Sequence, residues 1–297
     1  MNVEQLQSRF TVPGVSFAPG QGGLPRVTIS TPAADAQVYL HGAHVTHFQT
    51  RGARPLLFLS GKSHFAAGKA IRGGIPIIFP WFGNHPTNSA APAHGFARTL
   101  PWEVAAVQRK GDAVSVTLAL SASEATRKWF PFAFTARYTV TVGTSLDLAL
   151  EVRNDATEPI QYEEALHTYL AVADVRAVRI DGLAGRPFID KVDGFRKKSQ
   201  PPGPVQITGE TDRVYLDTSD TVTIPDPGLQ RRILVSKEGS RSTVVWNPWT
   251  EKAKEMSDFG PDEWPRMLCI ETANAADNKV SLSPGQSHTM RAMIQSG

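Results

Sequence analysis

The sequence lacks the features that define several common protein classes. It has one cysteine, Cys269, which excludes an internal disulfide and a cysteine-based structural zinc site. Its longest apolar run, residues 75–82, contains two prolines and is far shorter than the ~20 residues that a membrane helix needs. The amino terminus has no long apolar core behind a basic tip, so it does not predict a signal peptide. We therefore expect a cytoplasmic protein without a membrane partner.

Charge and short motifs narrow the classes further. The net charge is only +3, and the densest basic cluster is the short run at residues 196–198. No broad basic stripe is interleaved with aromatic residues, which disfavours nucleic-acid binding. The dinucleotide fingerprint and the phosphate loop are also absent. These observations leave a small molecule as the expected partner.

The chain consists mostly of short segments with strand-like composition, separated by turns. The pattern is strongest between residues 102 and 154, where apolar and polar residues alternate. Only residues 123–127 and 250–256 are candidates for short helices. Few helices and many strands joined by short turns favour an all-β, antiparallel sandwich. Since no linker or repeat divides the chain, we expect a single domain over residues 1–297.

One stretch, residues 161–170, predicts a strand that carries a histidine among apolar and aromatic neighbours. Alternation would place Glu163, Ala165, His167 and Tyr169 on one face. A histidine held in this way can give and take a proton near neutral pH, and it can equally be a hydrogen-bonded core residue. A second apolar run, MLCIE, ends at Glu271, whose carboxylate either caps a loop or faces a site.

Other polar residues suggest ligand contacts. Arg72 precedes two glycines, which allow the backbone to approach a ligand closely, and its guanidinium could bind an oxyanion of that ligand. The guanidinium could equally pair with a structural carboxylate. His94 and Arg98 flank Gly-Phe-Ala in HGFAR, directly after a polar loop. The three histidines at positions 41, 44 and 47 could suggest a metal, but strand alternation points the middle one away from the others. We expect no metal site and no cofactor.

Six motifs in this order resemble the glucose-6-phosphate 1-epimerase (hexose-6-phosphate mutarotase) branch of the aldose 1-epimerase superfamily. They are IRGGIPIIFPWFG, HGFAR, EEALHTYL, TDRVY, WNPW and MLCIETANA, and the similarity runs from about Val38 to the carboxyl terminus. The resemblance implies a galactose mutarotase-like β-supersandwich with a few short helices. It also implies interconversion of the α and β anomers of a hexose 6-phosphate, with glucose 6-phosphate as the expected substrate, by a monomeric enzyme.

The resemblance also assigns roles to individual residues. It implies that His167 is the general acid and Glu271 the general base, and we expect room for a sugar ring between them. Arg72, Arg98 and Asp212 match substrate-binding positions of the family. His94 matches a histidine that lines the same pocket. Where the family often has a glutamine, directly before HGFAR, this chain has Ala93, so one substrate contact is lost or comes from another group.

Three functions remain open from the sequence. The first is a mutarotase for hexose 6-phosphates, in which paired arginines hold the phosphate. The second is a mutarotase for unphosphorylated aldoses, and the third is a non-catalytic protein that binds sugar phosphates. Trp81, Trp246 and Trp249 could stack on a pyranose ring or pack in the core.

Overall fold

The computed structural model describes all residues from Met1 to Gly297. Strands dominate it. In chain order they are β1 (Val15–Pro19), β2 (Pro25–Ser30), β3 (Ala34–Tyr39), β4 (His44–Thr50), β5 (Ile77–Ile78), β6 (Glu103–Lys110), β7 (Ala113–Ser121), β8 (Phe134–Val142), β9 (Leu146–Asn154), β10 (Ile160–Tyr162), β11 (Glu164–Leu166), β12 (Tyr169–Ala171), β13 (Pro187–Asp190), β14 (Arg196–Ser199), β15 (Thr211–Leu216), β16 (Val222–Asp226), β17 (Arg231–Glu238), β18 (Ser242–Asn247), β19 (Met267–Asn274), β20 (Val280–Leu282) and β21 (Ser287–Ser296).

Three short α-helices complete the regular structure: α1 (Val3–Arg9), α2 (Glu124–Arg127) and α3 (Trp249–Glu255). The helix predicted after Ser123 is confirmed, because the Ser123 hydroxyl accepts from the Thr126 backbone and the Thr126 side chain accepts from the Ser123 backbone. The predicted helix at residues 250–256 is confirmed as α3, one residue earlier at each end.

No helix has both the length and the apolar character that crossing a bilayer demands.

The strands form four antiparallel sheets. The first is β1-β2-β3-β4, and the second is the pair β10-β20. The third, of seven strands, has the order β16-β17-β21-β9-β8-β7-β6. The fourth has the order β14-β13-β15-β18-β19-β11-β5, with β12 also paired to β19. The predicted all-β, antiparallel class is confirmed.

The seven-stranded sheet shows why the alternation in the sequence was informative. Along β7 and β8, buried residues alternate with more exposed ones, so one face packs on the core and the other meets solvent. The register pairs Leu118 with Tyr138, both fully buried, and these cross-strand neighbours belong to the apolar core.

In the sheet that contains β19 the pattern differs, because β19 is buried at all eight positions. Both faces of this strand are therefore covered by protein. Ile270 belongs to the large apolar core, whereas the side chain of Glu271, one position further on, points to the opposite face. This opposite face carries the candidate site.

One expectation about strands is wrong. Residues 161–170 do not form one strand but three short ones, β10, β11 and β12. His167 and Thr168 separate β11 from β12. There the His167 backbone N–H donates to the Pro76 carbonyl, and the Tyr169 backbone N–H donates to the Gly74 carbonyl. Residues 55–59 form only isolated bridges, through Leu57 and Leu59.

Candidate functional site

The strand registers align side chains from five chain segments in one row across the face of the fourth sheet that carries Glu271. Cross-strand partners on this face, in order, are Lys191, Asp212, Trp246, Cys269 and Tyr169. Glu271 lies on the same face, two residues beyond Cys269, and His167 lies two residues before Tyr169. Residues far apart in the sequence thus share one surface.

His167 and Glu271 are in direct contact on this surface. Their Nε2 and Oε1 atoms are 3.3 Å apart, and the side chains are only 8% and 1% exposed. The expected gap for a sugar ring between the two groups is therefore absent. The remaining polar atom of each group, Nδ1 of His167 and Oε2 of Glu271, is buried and has no hydrogen-bond partner in the protein.

Burial controls the ionisation of both groups. Desolvation raises the pKa of the Glu271 carboxyl well above its ordinary value, and the charge of Asp212 raises it further. Desolvation also lowers the pKa of His167 well below its ordinary value, helped by the charges of Arg98 and Arg72. Burial therefore drives each group toward its neutral form.

Aromatic rings surround His167 on several sides. Tyr169 stacks on the imidazole with ring centroids 4.8 Å apart and an angle of 12°. Trp246 and His94 each present their rings nearly perpendicular to it, with centroids 5.9 Å away. These contacts restrict the orientation of the imidazole.

His94 is held in one tautomer by its own loop. The backbone N–H of Gly83 donates to Nδ1 of His94 at 3.2 Å, so in the neutral ring the proton lies on Nε2. Desolvation, followed by the charge of Arg98, lowers the pKa of His94 well below its ordinary value.

Gly95 follows His94 in the same loop with φ +72°, and a Cβ there would lie 1.9 Å from the Phe79 carbonyl oxygen. Only glycine allows this tight packing of the loop.

Arg72 pairs with a carboxylate, which is the second of the two interpretations of its position. Its Nη1 donates to the Tyr169 hydroxyl at 3.0 Å, while Nη2 forms an ion pair with Asp258 at 3.1 Å. Burial alone would lower the pKa of Arg72, but Tyr169 and Asp258 together raise it above the ordinary value. Its Nε is buried without a partner. The adjacent Gly73, with φ +109°, lies close to the backbone of Phe58 and Leu59.

Arg98 has a different environment. Its Nη2 donates to the backbone carbonyl of Ala93 at 2.8 Å, its Nε is buried and unpartnered, and no carboxylate lies within ion-pair distance. Burial, together with repulsion from Arg72, lowers the pKa of Arg98 to about 10. At neutral pH it is therefore a partly desolvated cation without a counter-ion. The Ala93 side chain itself is exposed.

Asp212 lies in β15 and forms an ion pair with Lys191 at 2.8 Å. Sequence reasoning missed both Lys191 and Asp258. Each lies in a turn-rich segment with no apolar periodicity, so each looked like an ordinary solvated charge. Only the pairing of β13 with β15 brings Lys191 to the site.

The three tryptophans have separate uses. Trp246 is part of the site row, half-buried beside His167. Trp81 is buried and donates to the Pro92 carbonyl, and Trp249 packs against Trp264 with ring centroids 4.2 Å apart. Only Trp246 is placed to contact a ligand at this surface.

No three His, Cys, Asp or Glu side chains group in a way that could hold a metal ion. Nε2 of His41 and Nε2 of His44 are each hydrogen-bonded to a backbone carbonyl, of Lys69 and Gly73 respectively.

A cavity of about 450 Å³ lies on the outer face of the seven-stranded sheet, where Thr139, Glu151 and Arg291 are among its lining residues. None of the candidate site residues lines it.

The structure is an antiparallel β-fold that carries a buried histidine–glutamate pair bordered by arginines. The comparison with known families gives a more specific assignment. The aldose 1-epimerase family model matches residues 25–295, and this chain belongs to that family. It is therefore an epimerase-family enzyme.

Two relatives of this chain carry the same provisional name. A protein of Cenchrus ciliaris, provisionally named a glucose-6-phosphate 1-epimerase, is 37% identical over 260 residues, covering 84% of this chain and 78% of its own. An Escherichia coli K12 protein with the same provisional name is 34% identical, covering 91% of this chain and 90% of its own. The crystal structure of a Salmonella typhimurium protein, provisionally described as a mutarotase, superposes with a TM-score of 0.90 at 31% identity. That alignment covers 97% of this chain and 95% of the other, and confirms the predicted mutarotase-like fold.

Proposed function

We propose that this protein interconverts the α and β anomers of hexose 6-phosphates, with glucose 6-phosphate as the first candidate substrate. The contact between His167 and Glu271 is the observation that carries the proposal. It joins an acid and a base at 3.3 Å, and each keeps one buried polar atom free for another partner. The names of the relatives support the sugar phosphate as substrate.

The close contact between His167 and Glu271 matches the short distance between the two sugar oxygens that must lose or gain a proton. In a hemiacetal, the C1 hydroxyl and the ring oxygen are bonded to the same carbon, so they are necessarily close neighbours. An acid and a base that touch each other can therefore address both oxygens at once when the sugar lies over the pair. The sugar need not fit between the two side chains.

The chemistry then needs one base and one acid. The carboxylate of Glu271 removes the proton of the C1 hydroxyl, while the imidazolium of His167 delivers a proton to the ring oxygen. The bond between C1 and the ring oxygen breaks, which leaves an aldehyde at C1 and a hydroxyl at C5. Rotation about C1–C2 presents the other face of the aldehyde, and closure with reversed proton roles gives the other anomer. Each proton-transfer group contributes about 10²- to 10⁴-fold.

A proton held between the two contacting groups supplies the starting protonation state. An isolated charge on either buried group is unfavourable, but one proton passing from the Glu271 carboxyl to the His167 imidazole produces the ion pair that the reaction uses. His94 and Asp212 would orient sugar hydroxyls. The Nε2–H of His94 is a donor, and the Asp212 carboxylate is an acceptor.

Arg98 supports a phosphorylated substrate. The three cations near the pair are Arg72, Arg98 and Lys191, and only Arg98 lacks a carboxylate partner. A phosphate monoester carries a charge of about −1.5 to −2 at neutral pH and accepts charge-assisted hydrogen bonds from a guanidinium. Its binding would also provide the buried, unpartnered Nε atoms of Arg72 and Arg98 with an acceptor.

The test is anomer exchange by NMR on glucose 6-phosphate and on glucose, for wild type and Arg98→Ala. Loss of a buried charge-assisted contact costs about 2 to 5 kcal/mol, which is about a thirtyfold to several-thousandfold decrease in kcat/KM. We expect this decrease for glucose 6-phosphate, with a much smaller change for glucose. Arg109→Ala is the matched control, because Arg109 also donates to backbone carbonyls and has no carboxylate partner, but lies away from the site.

A mutarotase for unphosphorylated aldoses is the second candidate, favoured by the ion pair that already engages Arg72. A wild-type preference for glucose, or equal losses on both sugars in Arg98→Ala, would establish it instead. Binding of glucose 6-phosphate without accelerated exchange would indicate a sugar-phosphate binding protein.

We further propose that the enzyme works as a cytoplasmic monomer without a cofactor. Its one cysteine, Cys269, is a buried free thiol, which suits a reducing compartment. Light scattering of the purified protein tests the monomeric state, and fractionation of cells that express it tests the location.

A further inference from the structure

Lys191 is joined to the site by its backbone and its side chain. Its backbone N–H donates to the Asp212 carbonyl at 2.9 Å, which continues the pairing of β13 with β15. Its Nζ lies 2.8 Å from Oδ2 of Asp212, and the two side chains are only 22% and 20% exposed. An ion pair this well covered is screened much less than a surface pair.

A third contact ties Lys191 to the loop that carries His94. The Lys191 ammonium lies 5.2 Å from the centroid of the Phe82 ring, and Phe82 packs edge-on against His94 with centroids 5.0 Å apart. The backbone N–H of Phe82 in turn donates to the Glu163 carboxylate. Lys191 therefore has little freedom to leave Asp212.

The charges that face Glu271 come from several elements. Asp212 on β15 acts to raise the Glu271 pKa, whereas Lys191 after β13 and Arg98 act to lower it, and His167 touches the carboxyl directly. Removing Lys191 would leave the Asp212 carboxylate uncompensated beside a buried base. Lys191 and Asp212 therefore act on Glu271 in opposite directions.

We propose that Lys191 is a positioning residue for the acid–base pair: by pairing with Asp212 it holds that carboxylate in place and keeps Glu271 an effective base. This role rests on the proposed function, since it concerns the reaction at the same site. Lys191 itself need not touch the substrate.

The first experiment needs no substrate. In protein labelled with carbon-13 at glutamate carboxyls, the Glu271 signal is assigned by its loss in Glu271→Gln, and its titration midpoint is compared among variants. We expect Lys191→Met to raise the midpoint by about one pH unit or more and Asp212→Asn to lower it. The double variant should return close to wild type. An unchanged midpoint in Lys191→Met overturns the proposal, as does a double variant that behaves like the Lys191 variant alone.

The second experiment measures kcat/KM for anomer exchange against pH. In Lys191→Met the acidic limb should move to higher pH, because Glu271 must lose its proton to act as the base. Lys191→Arg keeps the charge and should restore most of the wild-type profile. Lys198→Met is the matched control, since Lys198 pairs with Asp190 and Asp193 on the neighbouring strand and turn.

The titration and the pH profile together test the role of Lys191 separately from the proposed function. If the wild type accelerates no anomer exchange, the proposed function fails, while the titration still decides whether Lys191 controls Glu271. If exchange is fast and the pH profile of Lys191→Met matches that of wild type, only the role of Lys191 is refuted. Circular dichroism confirms that each variant is folded before either measurement.

Discussion

Tyr169 links the imidazole of His167 to the guanidinium of Arg72. Its ring lies parallel to His167 at 4.8 Å, and its hydroxyl accepts a hydrogen bond from Arg72 Nη1 at 3.0 Å. One side chain therefore contacts both a candidate catalytic group and a candidate substrate-binding group. The two contacts use different parts of the side chain, so substitution can separate them.

Tyr169→Phe removes the hydroxyl and keeps the stacked ring. A hydrogen bond to a charged group contributes about 1.5 to 3 kcal/mol, so we expect KM to rise while kcat changes little. Tyr169→Leu should also lower kcat, because His167 loses the ring that orients it. Steady-state anomer exchange measures both. Tyr215→Phe is the control, since it removes another buried hydroxyl, bonded to Gln200. An unchanged KM in Tyr169→Phe would contradict the link to Arg72.

Substitution of either proposed catalytic group should abolish most of the acceleration without unfolding the protein. For His167→Ala and Glu271→Gln we expect kcat to fall by about 10²- to 10⁴-fold each. The control His47→Gln changes a half-buried histidine outside the site row and should leave kcat unaltered. Anomer exchange in either site variant at close to the wild-type rate would refute the assignment, provided that thermal melting shows a folded protein.

Acid should destabilise the fold partly through His44. Burial lowers the pKa of this histidine to about 3, and Nε2 donates to the Gly73 carbonyl. Between about pH 3 and the ordinary histidine pKa of 6.5, the unfolded chain takes up a proton at this position that the native state does not. This contribution is fully present above pH 6.5 and is lost as the pH falls, with a slope of up to about 1.4 kcal/mol per pH unit.

Urea unfolding of wild type and His44→Gln between pH 4 and 7 checks this expectation. Glutamine can still donate to Gly73 but does not titrate, so the free energy of unfolding should depend less on pH in the variant. The exposed His64, changed to Gln, serves as control. Equal slopes for wild type and His44→Gln would show that His44 is not the source of the acid sensitivity.

Removal of metals should not reduce activity. The proposed proton transfers use His167 and Glu271, and His41 and His44 already bind backbone carbonyls through Nε2. We expect the same kcat/KM before and after exhaustive dialysis against a chelator. Loss of activity that one added divalent metal restores would require a metal in the mechanism.

Local patterns in the sequence predicted the local structure well. The alternation in β7 and β8 reflects one buried and one solvated face, and β19, whose two faces are both covered, begins with the apolar run at residues 267–270. The capping signal at Ser123 needs only neighbouring residues, so it too was visible. The order of the six motifs placed the chain in its family before any geometry was known.

The single domain over residues 1–297 stays a prediction. One apolar core cluster includes residues from α1, all the larger sheets and the carboxyl-terminal strand β21. Coincident urea transitions by tryptophan fluorescence and far-ultraviolet circular dichroism would support one cooperative unit. Two separate transitions would contradict it.

The sequence by itself determined the strand-rich class, the family and the candidate residues His167, Glu271, Arg72, Arg98, His94 and Asp212, because these depend on residue type and nearby order. Only the tertiary structure decided which of them touch. The contact of His167 with Glu271 depends on the pairing of β11 and β12 with β19, and the ion pairs of Arg72 with Asp258 and of Asp212 with Lys191 join separate segments. Such contacts follow from strand register and loop packing over long separations, and a one-residue shift in register would turn each side chain to the opposite face.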